Sequence, residues 1–535
     1  MTPSPAHGKR LLPLLGILLL GMLIFSPLWD FHLPLSTGDN GRDLYCFRQT
    51  LNGALPYRDY WWVYGPIMPA YYAFWFQLLG TNIKTVLMAE SLFYILSGSL
   101  IFLILRRRAP LLLSISGALW FWTFNPRFTY TYNHAAGVTV ILGLVGLLFH
   151  YLRYPRRRYL IGGFGLLFIL GLIKLNIGLA NLAAFLVSFF LIRRAGMTKD
   201  APRHGRILFI GALVLLVLLL AVYATILSGL PVYAARQCMP FLTADRADHA
   251  PFLLSVWWLL LSYLDNISHF GPNMAFGIII LVALGRLLMD LIVDIKKHQN
   301  ISTKIIHLII PCIFWLFNLH EYLLSGVPYR LFWVTPLQFL LIFAILAQGT
   351  KSLSRPLQNL IHIALFSVII LSQISLNLFI RQFKIPDRYL DMPAGHVYAG
   401  NSPAWFQTVR SVVTYLNRHL AEDETFLALP YEPLYHFLTN RASPTRQLYV
   451  FEYLNIPPEQ EARLITAAGK TNVRFIVLSN RGHSSLKSLG IFGQTYVRDL
   501  AAYIQQHYQL VATFGDWEQP GGALDNHAVR IFRRK

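Results

Sequence analysis

Cysteine is nearly missing from this chain. Three occur in 535 residues, Cys46, Cys238 and Cys312. None has a partner at metal-ligand spacing, which argues against a zinc site. Charge is scarce too: 13% of residues are charged, where a soluble domain carries roughly 25%. Acidic residues are the scarcer kind, 25 against 46 basic, for a net charge of +21. In a soluble protein that excess would suggest nucleic acid. Here the basic residues gather in short loops between apolar runs, which is the positive-inside pattern of a membrane protein. No internal repeat is visible. What the chain has in abundance is apolar: 55% hydrophobic residues, with mean hydropathy +0.47. Runs of about 20 apolar residues recur and predict membrane-spanning helices.

The short basic amino end, MTPSPAHGKR, precedes apolar residues 11–29. That resembles a signal peptide, but no small-x-small cleavage site follows. The expectation is an uncleaved first span with its amino end in the cytoplasm. Further spans are expected near 84–105, 110–125, 134–152, 159–173, 175–192, 207–229, 273–293, 305–320, 331–349 and 358–380, about eleven in all. The basic stretches 106–108, 153–158, 193–206, 296–304 and 351–355 then all fall on one side, as the positive-inside rule demands. The other side holds 30–83, 126–133, 230–272, 321–330 and everything beyond about 381. The expected fold is thus a polytopic α-helical membrane protein with a C-terminal extramembrane α/β domain, divided as 1–384 and 385–535.

The tail supports that division by composition. "SPAWFQTVRSVVTYLNRHL" opens with Ser402 as an N-cap and Pro403 in the first helical position. "ETFLALP", "RFIVLS" and "HAVRIF" read as strands, and "TYVRDLAAYIQQHY" as a helix. The tail has no Gly-rich phosphate loop and no nucleophile motif, so its expected role is substrate binding or support.

The densest polar stretch follows the first apolar run: "GDNGRDLYCFRQTLNGALPYRDYWWVYGP", residues 38–66. It holds three aspartates, three arginines and six Tyr or Trp residues. Leu44, Phe47 and Leu51 recur at helical spacing with Arg42, Asp43, Arg48 and Gln49 between them. That pattern predicts an amphipathic helix able to lie on a membrane surface. A second apolar segment, 66–80, is too short to span comfortably, and its Tyr71, Tyr72, Phe74 and Trp75 suit the interface. Each carboxylate has a bland reading beside the functional one. Asp39 suits a helix N-cap, Asp43 a solvated helix face, and Asp59 an ion pair with Arg58 of little consequence. Together, beside an aromatic strip, they form a candidate site. Cys46 and Cys238 both fall on the oxidising side, where a disulfide is permitted, but nothing in the sequence brings them close.

The pattern Asp39, Leu51, Gly53, then "PYRD" (56–59) and "YGP" (64–66) resembles the first periplasmic loop of bacterial GT-C glycosyltransferases. These are the family-39-like proteins, similar to protein O-mannosyltransferases and to the lipid A aminoarabinose transferase. Many of them carry Asp-Glu at the start of this loop; Asp39-Asn40 keeps the first carboxylate and lacks the second. The order of elements is similar as well: a long first outer loop, many membrane helices and a terminal outer domain.

The resemblance implies direct displacement at the anomeric carbon of a sugar carried on a polyprenyl phosphate, with inversion. An acceptor hydroxyl or amine attacks, and a general base must stand within hydrogen-bond reach of it. Asp39 is the candidate base. At a partly dehydrated membrane boundary, desolvation would make such a carboxylate a stronger base. The leaving phosphate needs cations. Lys174 is the foremost candidate because its flanks, "LGLIKLNIGL", are almost wholly apolar and an intramembrane charge is costly; snorkelling to the interface is the competing reading. Arg330, with His320 and Glu321 at the other end of its loop, has similar standing. Arg236 and Arg246 read as solvated loop residues. Asp59 and Tyr64 are expected to orient acceptor or carrier groups. No metal and no cofactor are expected. The predicted partners are a polyprenyl-phosphate-linked sugar, a lipid, glycan or protein acceptor, and membrane lipids, with no nucleic acid. The implied location is the bacterial inner membrane, with the terminal domain in the periplasm. Two other function classes remain: a transporter or flippase, against which the surface position of the polar cluster counts, and an envelope polysaccharide polymerase or ligase, whose large loop usually falls later than the one at 30–83.

Overall fold

The computed structural model of the chain describes residues 5–29, 36–124, 132–195, 201–239, 275–298, 302–323, 333–382, 389–392, 395–398, 403–482, 489–519, 521 and 526–535. These fall into two compact units. One comprises Met1–Ser26, Glu90–Val222 and His249–Ile380, the other Pro27–Ala89, Tyr223–Asp248 and Arg381–Lys535.

The first unit is helical. A helix lies over each apolar run expected to span, including Pro5–Phe25, Tyr132–Arg153, Arg157–Ile173, Leu175–Arg194, Thr303–Asn318, Thr335–Gly349 and Arg355–Gln382. By length and composition, five helices among the described residues can cross a membrane: Ile83–Leu105, Asn133–Arg153, Leu175–Arg194, His204–Leu227 and Arg355–Ile374. Apolar runs become helices because helical backbone satisfies its own hydrogen bonds, a requirement wherever water is absent. Helices 157–173 and 175–194 form a tight hairpin about Lys174, whose backbone is extended (φ −160°, ψ 114°). Glycine permits the close approach: a Cβ on Gly178 would stand 2.5 Å from the Gly171 Cα.

The second unit differs from the domain read in sequence, because the first long loop folds together with the tail. Helix Asp39–Leu51 packs against helix Ile67–Leu79 and against the short helix Pro433–Leu438. The tail itself carries a four-stranded sheet in the order β3-β4-β6-β5, with β3 Thr425–Leu429, β4 Val473–Ser479, β5 Tyr508–Phe514 and β6 Val529–Arg534. β3 and β4 run parallel with Leu427 opposite Ile476, and β6 is antiparallel to both β4 and β5. All five residues of β3 are buried, as befits a strand covered on both faces. A hairpin of β1 Tyr389–Met392 and β2 Gly395–Tyr398 precedes the sheet.

The amphipathic helix is present, but not on a surface. Residues Gly41 through Arg48 are all buried within this unit. Its polar face is covered by protein instead of headgroups. Arg48 donates to the carbonyls of His436 (2.8 Å), Phe437 (2.9 Å) and Arg441 (3.2 Å) and to Asn440 Oδ1 (2.9 Å). A guanidinium thus caps the end of helix Pro433–Leu438, where free carbonyls and the helix dipole favour a cation. Helix Ile67–Leu79 buries Met68, Tyr72 and Phe76 and leaves Phe74, Leu78 and Leu79 exposed. Cys46, Cys238 and Cys312 are free thiols, all buried. Cys46 approaches the Trp61 carbonyl and Cys238 the Arg446 guanidinium, so the permitted disulfide is not formed.

Candidate functional site

Two polar clusters stand out, one in each unit. The first surrounds Asp39. The competing reading of this residue as an N-cap fails, because the cap is built by other groups. Gly38 occupies the N-cap position. Ser36 and Asn40 then bond reciprocally, the Asn40 amide to Ser36 Oγ (3.2 Å) and the Ser36 amide to Asn40 Oδ1 (2.9 Å). Two orphan donors are thereby satisfied in the manner of a capping box. Asn40 has a structural task, and Asp39 is released from one.

The Asp39 side chain is 61% exposed, so the dehydration expected of it is not supplied by this unit. Its Oδ1 accepts the Tyr431 hydroxyl at 2.8 Å and lies 3.4 Å from Arg42 Nη1. Beneath it, Arg42 is buried and grips Asp43 Oδ1 through Nε (2.8 Å) and Nη2 (2.6 Å). Asp43, read in sequence as a solvated charge, is therefore an interior one at 1% exposure. Its Oδ2 is buried without a hydrogen-bond partner among the described residues. Burial pushes this carboxyl up to about 6, against the pull of Arg42. Burial also opposes the charge of Arg42, but Asp43, with smaller contributions from Tyr431, Tyr64 and Asp39, holds it well above the ordinary guanidinium range.

Aromatic rings wall this pair. The Arg42 guanidinium stands 4.9 Å from the Tyr64 ring, 5.5 Å from Trp62 and 6.0 Å from Trp61, within cation–π range. Tyr64 thus serves as a face for Arg42, and its carbonyl accepts the Tyr57 hydroxyl. Asp59 is placed elsewhere in the loop. It accepts the Leu55 amide at 2.8 Å, closing a turn, and pairs with Arg58 at 2.8 Å. Tyr57 takes a left-handed backbone (φ 68°) inside that turn.

Tyr431 was not legible as a site residue. It lies 392 positions from Asp39, and no local pattern links them. Burial is the main reason that its hydroxyl stays protonated far above the usual phenol range. Its neighbour Glu432 is buried and raised by that burial, with Arg481 at 3.6 Å and the Ser479 hydroxyl at 2.7 Å as partners. The glycines of "GDNG" record how close this segment comes. A Cβ on Gly38 would meet the Tyr431 ring at 2.7 Å, and one on Gly41 the Leu434 amide nitrogen at 2.4 Å.

The second cluster lies in the helical unit and unites three of the expected residues, Lys174, His320 and Glu321. Lys174 Nζ is 2.6 Å from Glu321 Oε2, and His320 Nε2 is 3.5 Å from Oε1. Asn176 donates to Glu321 and meets His320 Nε2 at 3.1 Å. His134 joins at 3.4 Å from Glu321 and 3.5 Å from Lys174, with its ring 5.0 Å from that of Trp333. Glu321 is 2% exposed and Lys174 14%. Lys174 is thus a paired, mostly buried charge. Behind the cluster, Asn181 and Asn318 exchange two amide hydrogen bonds of 2.9 and 3.0 Å. Arg330 and Arg246 lie outside the described residues; Arg236 is exposed at the end of helix Val232–Cys238.

No protein-family model matches the chain, and no curated protein does. Solved structures do. The structure of ArnT from Cupriavidus metallidurans in the apo state has a TM-score of 0.57 at 10% identity, over 99% of this chain and 98% of that one. The same protein bound to undecaprenyl phosphate gives 0.57 at 12% identity over 98% of each chain. The Archaeoglobus fulgidus oligosaccharyltransferase, in a complex with zinc and sulfate, gives 0.54 at 12% identity over 92% of this chain and 71% of that one. The chain has a GT-C-like fold. At these identities the likeness is one of fold. Within it, the Asp39 cluster consists of an exposed carboxylate with one oxygen anchored, above a buried cation.

Proposed function

We propose that this protein is a membrane glycosyltransferase that moves a sugar from a polyprenyl-phosphate carrier to an acceptor by inverting displacement. One observation carries the reading: Asp39, relieved of capping by Ser36 and Asn40, presents an exposed carboxylate in a fold shared end to end with ArnT. Asp39 acts as the general base on the acceptor hydroxyl or amine. Arg42 and Asp43 form the rigid floor that keeps it in place, and Tyr64 walls that floor. Asp59 orders the loop and orients acceptor or carrier groups at its rim. Lys174, together with Arg330, stabilises charge on the leaving phosphate; Glu321 and His320 hold the lysine until the carrier arrives. No metal enters this scheme.

The topology belongs to the same proposal. About eleven helices cross the bacterial inner membrane, with the amino end in the cytoplasm. Residues 30–83 and the C-terminal α/β segment lie on the periplasmic side, and the exposed face of helix Ile67–Leu79 rests on the lipid. Reporter fusions after residues 108, 158 and 381 then read in, in and out; any other pattern breaks this arrangement. The acceptor is a lipid, glycan or protein of the envelope. The decisive assay supplies membranes with labelled undecaprenyl-phosphate sugars and measures transfer to an endogenous acceptor. Release by wild type and its loss in Asp39→Asn at equal protein level support the reading. Full release by the variant removes Asp39 from the mechanism.

A further inference from the structure

The Asp39 carboxylate is held asymmetrically. Oδ1 takes both of its partners, the Tyr431 hydroxyl at 2.8 Å and Arg42 Nη1 at 3.4 Å. Oδ2 takes none among the described residues, and the side chain is 61% exposed. A carboxylate fixed by one oxygen and open at the other is set to receive a proton on the open one.

The group that fixes it is itself fixed. The Tyr431 ring is buried. It packs 4.3 Å from the Tyr449 ring and 6.2 Å from Trp61, both edge-on. The Arg481 guanidinium covers it at 5.5 Å and donates to the Tyr431 carbonyl at 3.2 Å. Gly38 closes the cage from the Asp39 side, with no room for a Cβ. A ring so enclosed cannot follow the carboxylate; the carboxylate must follow the ring. Arg42 alone would be a poorer anchor, since its two short contacts go to Asp43.

We infer that Tyr431 is a positioning residue for the reaction, and that the C-terminal segment thereby completes a site whose base comes from the first loop. This rests on the reading of Asp39 as the base. The hydroxyl pins Oδ1 so that Oδ2 points to the acceptor. The acceptor O–H or N–H proton passes to Oδ2 as the acceptor atom bonds to the anomeric carbon. The bond from that carbon to the carrier phosphate breaks, and its electron pair leaves with the phosphate. Tyr431 keeps its own proton throughout.

The test is Tyr431→Phe, which removes one oxygen and keeps the caged ring. In membranes supplied with labelled undecaprenyl-phosphate sugar, kcat is expected to fall about 10- to 100-fold, the scale of a misplaced catalytic group. KM for the donor stays within about twofold, since ground-state binding is untouched. Asp39→Asn combined with Tyr431→Phe is no slower than Asp39→Asn alone, because both changes act through one group. An unchanged kcat in Tyr431→Phe overturns the inference, as does a loss matched by an equal loss of folded protein. If Asp39→Asn retains wild-type transfer, the functional reading fails, and the positioning claim is then judged on a structure of Tyr431→Phe. There, a turned Asp39 carboxylate supports the claim and an unmoved one refutes it.

Discussion

The two polar clusters are built from similar groups and come out as opposites. Around Glu321, one buried carboxylate is enclosed by Lys174, His134, His320 and Asn176. Around Arg42, one buried cation is enclosed by Asp43 and aromatic rings, and the second carboxylate, Asp39, is left exposed above it. A saturated carboxylate stabilises and orders a fold; a half-anchored, exposed one has capacity left for a substrate. Residue type alone does not separate these cases. Number of partners and exposure do.

The comparison breaks most decisively at Asp39. Asp39→Asn is expected to lower turnover by about 10³-fold, within the range for a positioned general base, with no loss of melting temperature. Equal turnover by the variant would put Asp39 on the same footing as Glu321. Next is Asp43→Ala, which leaves buried Arg42 without its main counter-charge and should cost about 4 kcal/mol of stability. Chemical denaturation of the purified protein measures it, and a shift near zero would mean that the pair is not interior. Lys174→Met orphans Glu321 in the same way, at about 3 kcal/mol. Adding Glu321→Gln should restore most of that loss, because the stranded charge is gone. Failure of the second change to restore stability would show that Glu321 is not the charge stranded by the loss of Lys174.

A smaller effect comes from two imidazoles in the Asp39 unit. Burial, with repulsion from Arg48 and Arg481 respectively, lowers His436 and His527 to about 3 from the ordinary 6.5. Both stay neutral in the fold and take a proton on unfolding once the pH is below 6.5. Their contribution is therefore complete above pH 6.5 and drains as pH falls toward 3. At pH 5 each costs about 2 kcal/mol relative to neutral pH. Asp43, raised from 3.8 to about 6, works the other way between those two pH values, so Asp43→Asn should steepen the acid loss of melting temperature there. A flat profile would contradict the burial of both rings. On melting temperature, Asp59→Asn should have the smallest effect of all, since its partners are an exposed Arg58 and one turn amide.

How much of this was legible follows from how far each cause reaches along the chain. The hairpin at Lys174 could be read from an isolated charge between two apolar runs. Strands β3, β4 and β6 could be read from short runs of β-branched and aromatic residues, whereas edge strand β5, with Gln509, Leu510 and Thr513 exposed, has no clear alternation. The helix at 39–51 was legible and its surroundings were not. Periodicity reports which faces of a helix differ, not what covers the polar one. Arg48 illustrates the limit: its spacing suits a solvated face, yet four acceptors between His436 and Arg441 close over it.

The sequence by itself determined the apolar helices, because a backbone in an apolar medium must bond to itself and so imposes run length and composition locally. It also singled out the stretch from Gly38 to Pro66, since so many charges beside so much oil need a reason. Only the tertiary structure decided which of its aspartates stands free. That depends on Ser36 and Asn40 taking over the cap, on Arg42 drawing Asp43 inside, and on Tyr431 arriving from 392 residues away to hold Asp39 by one oxygen. Desolvation and hydrogen bonding act through space, and their partners here are set by packing.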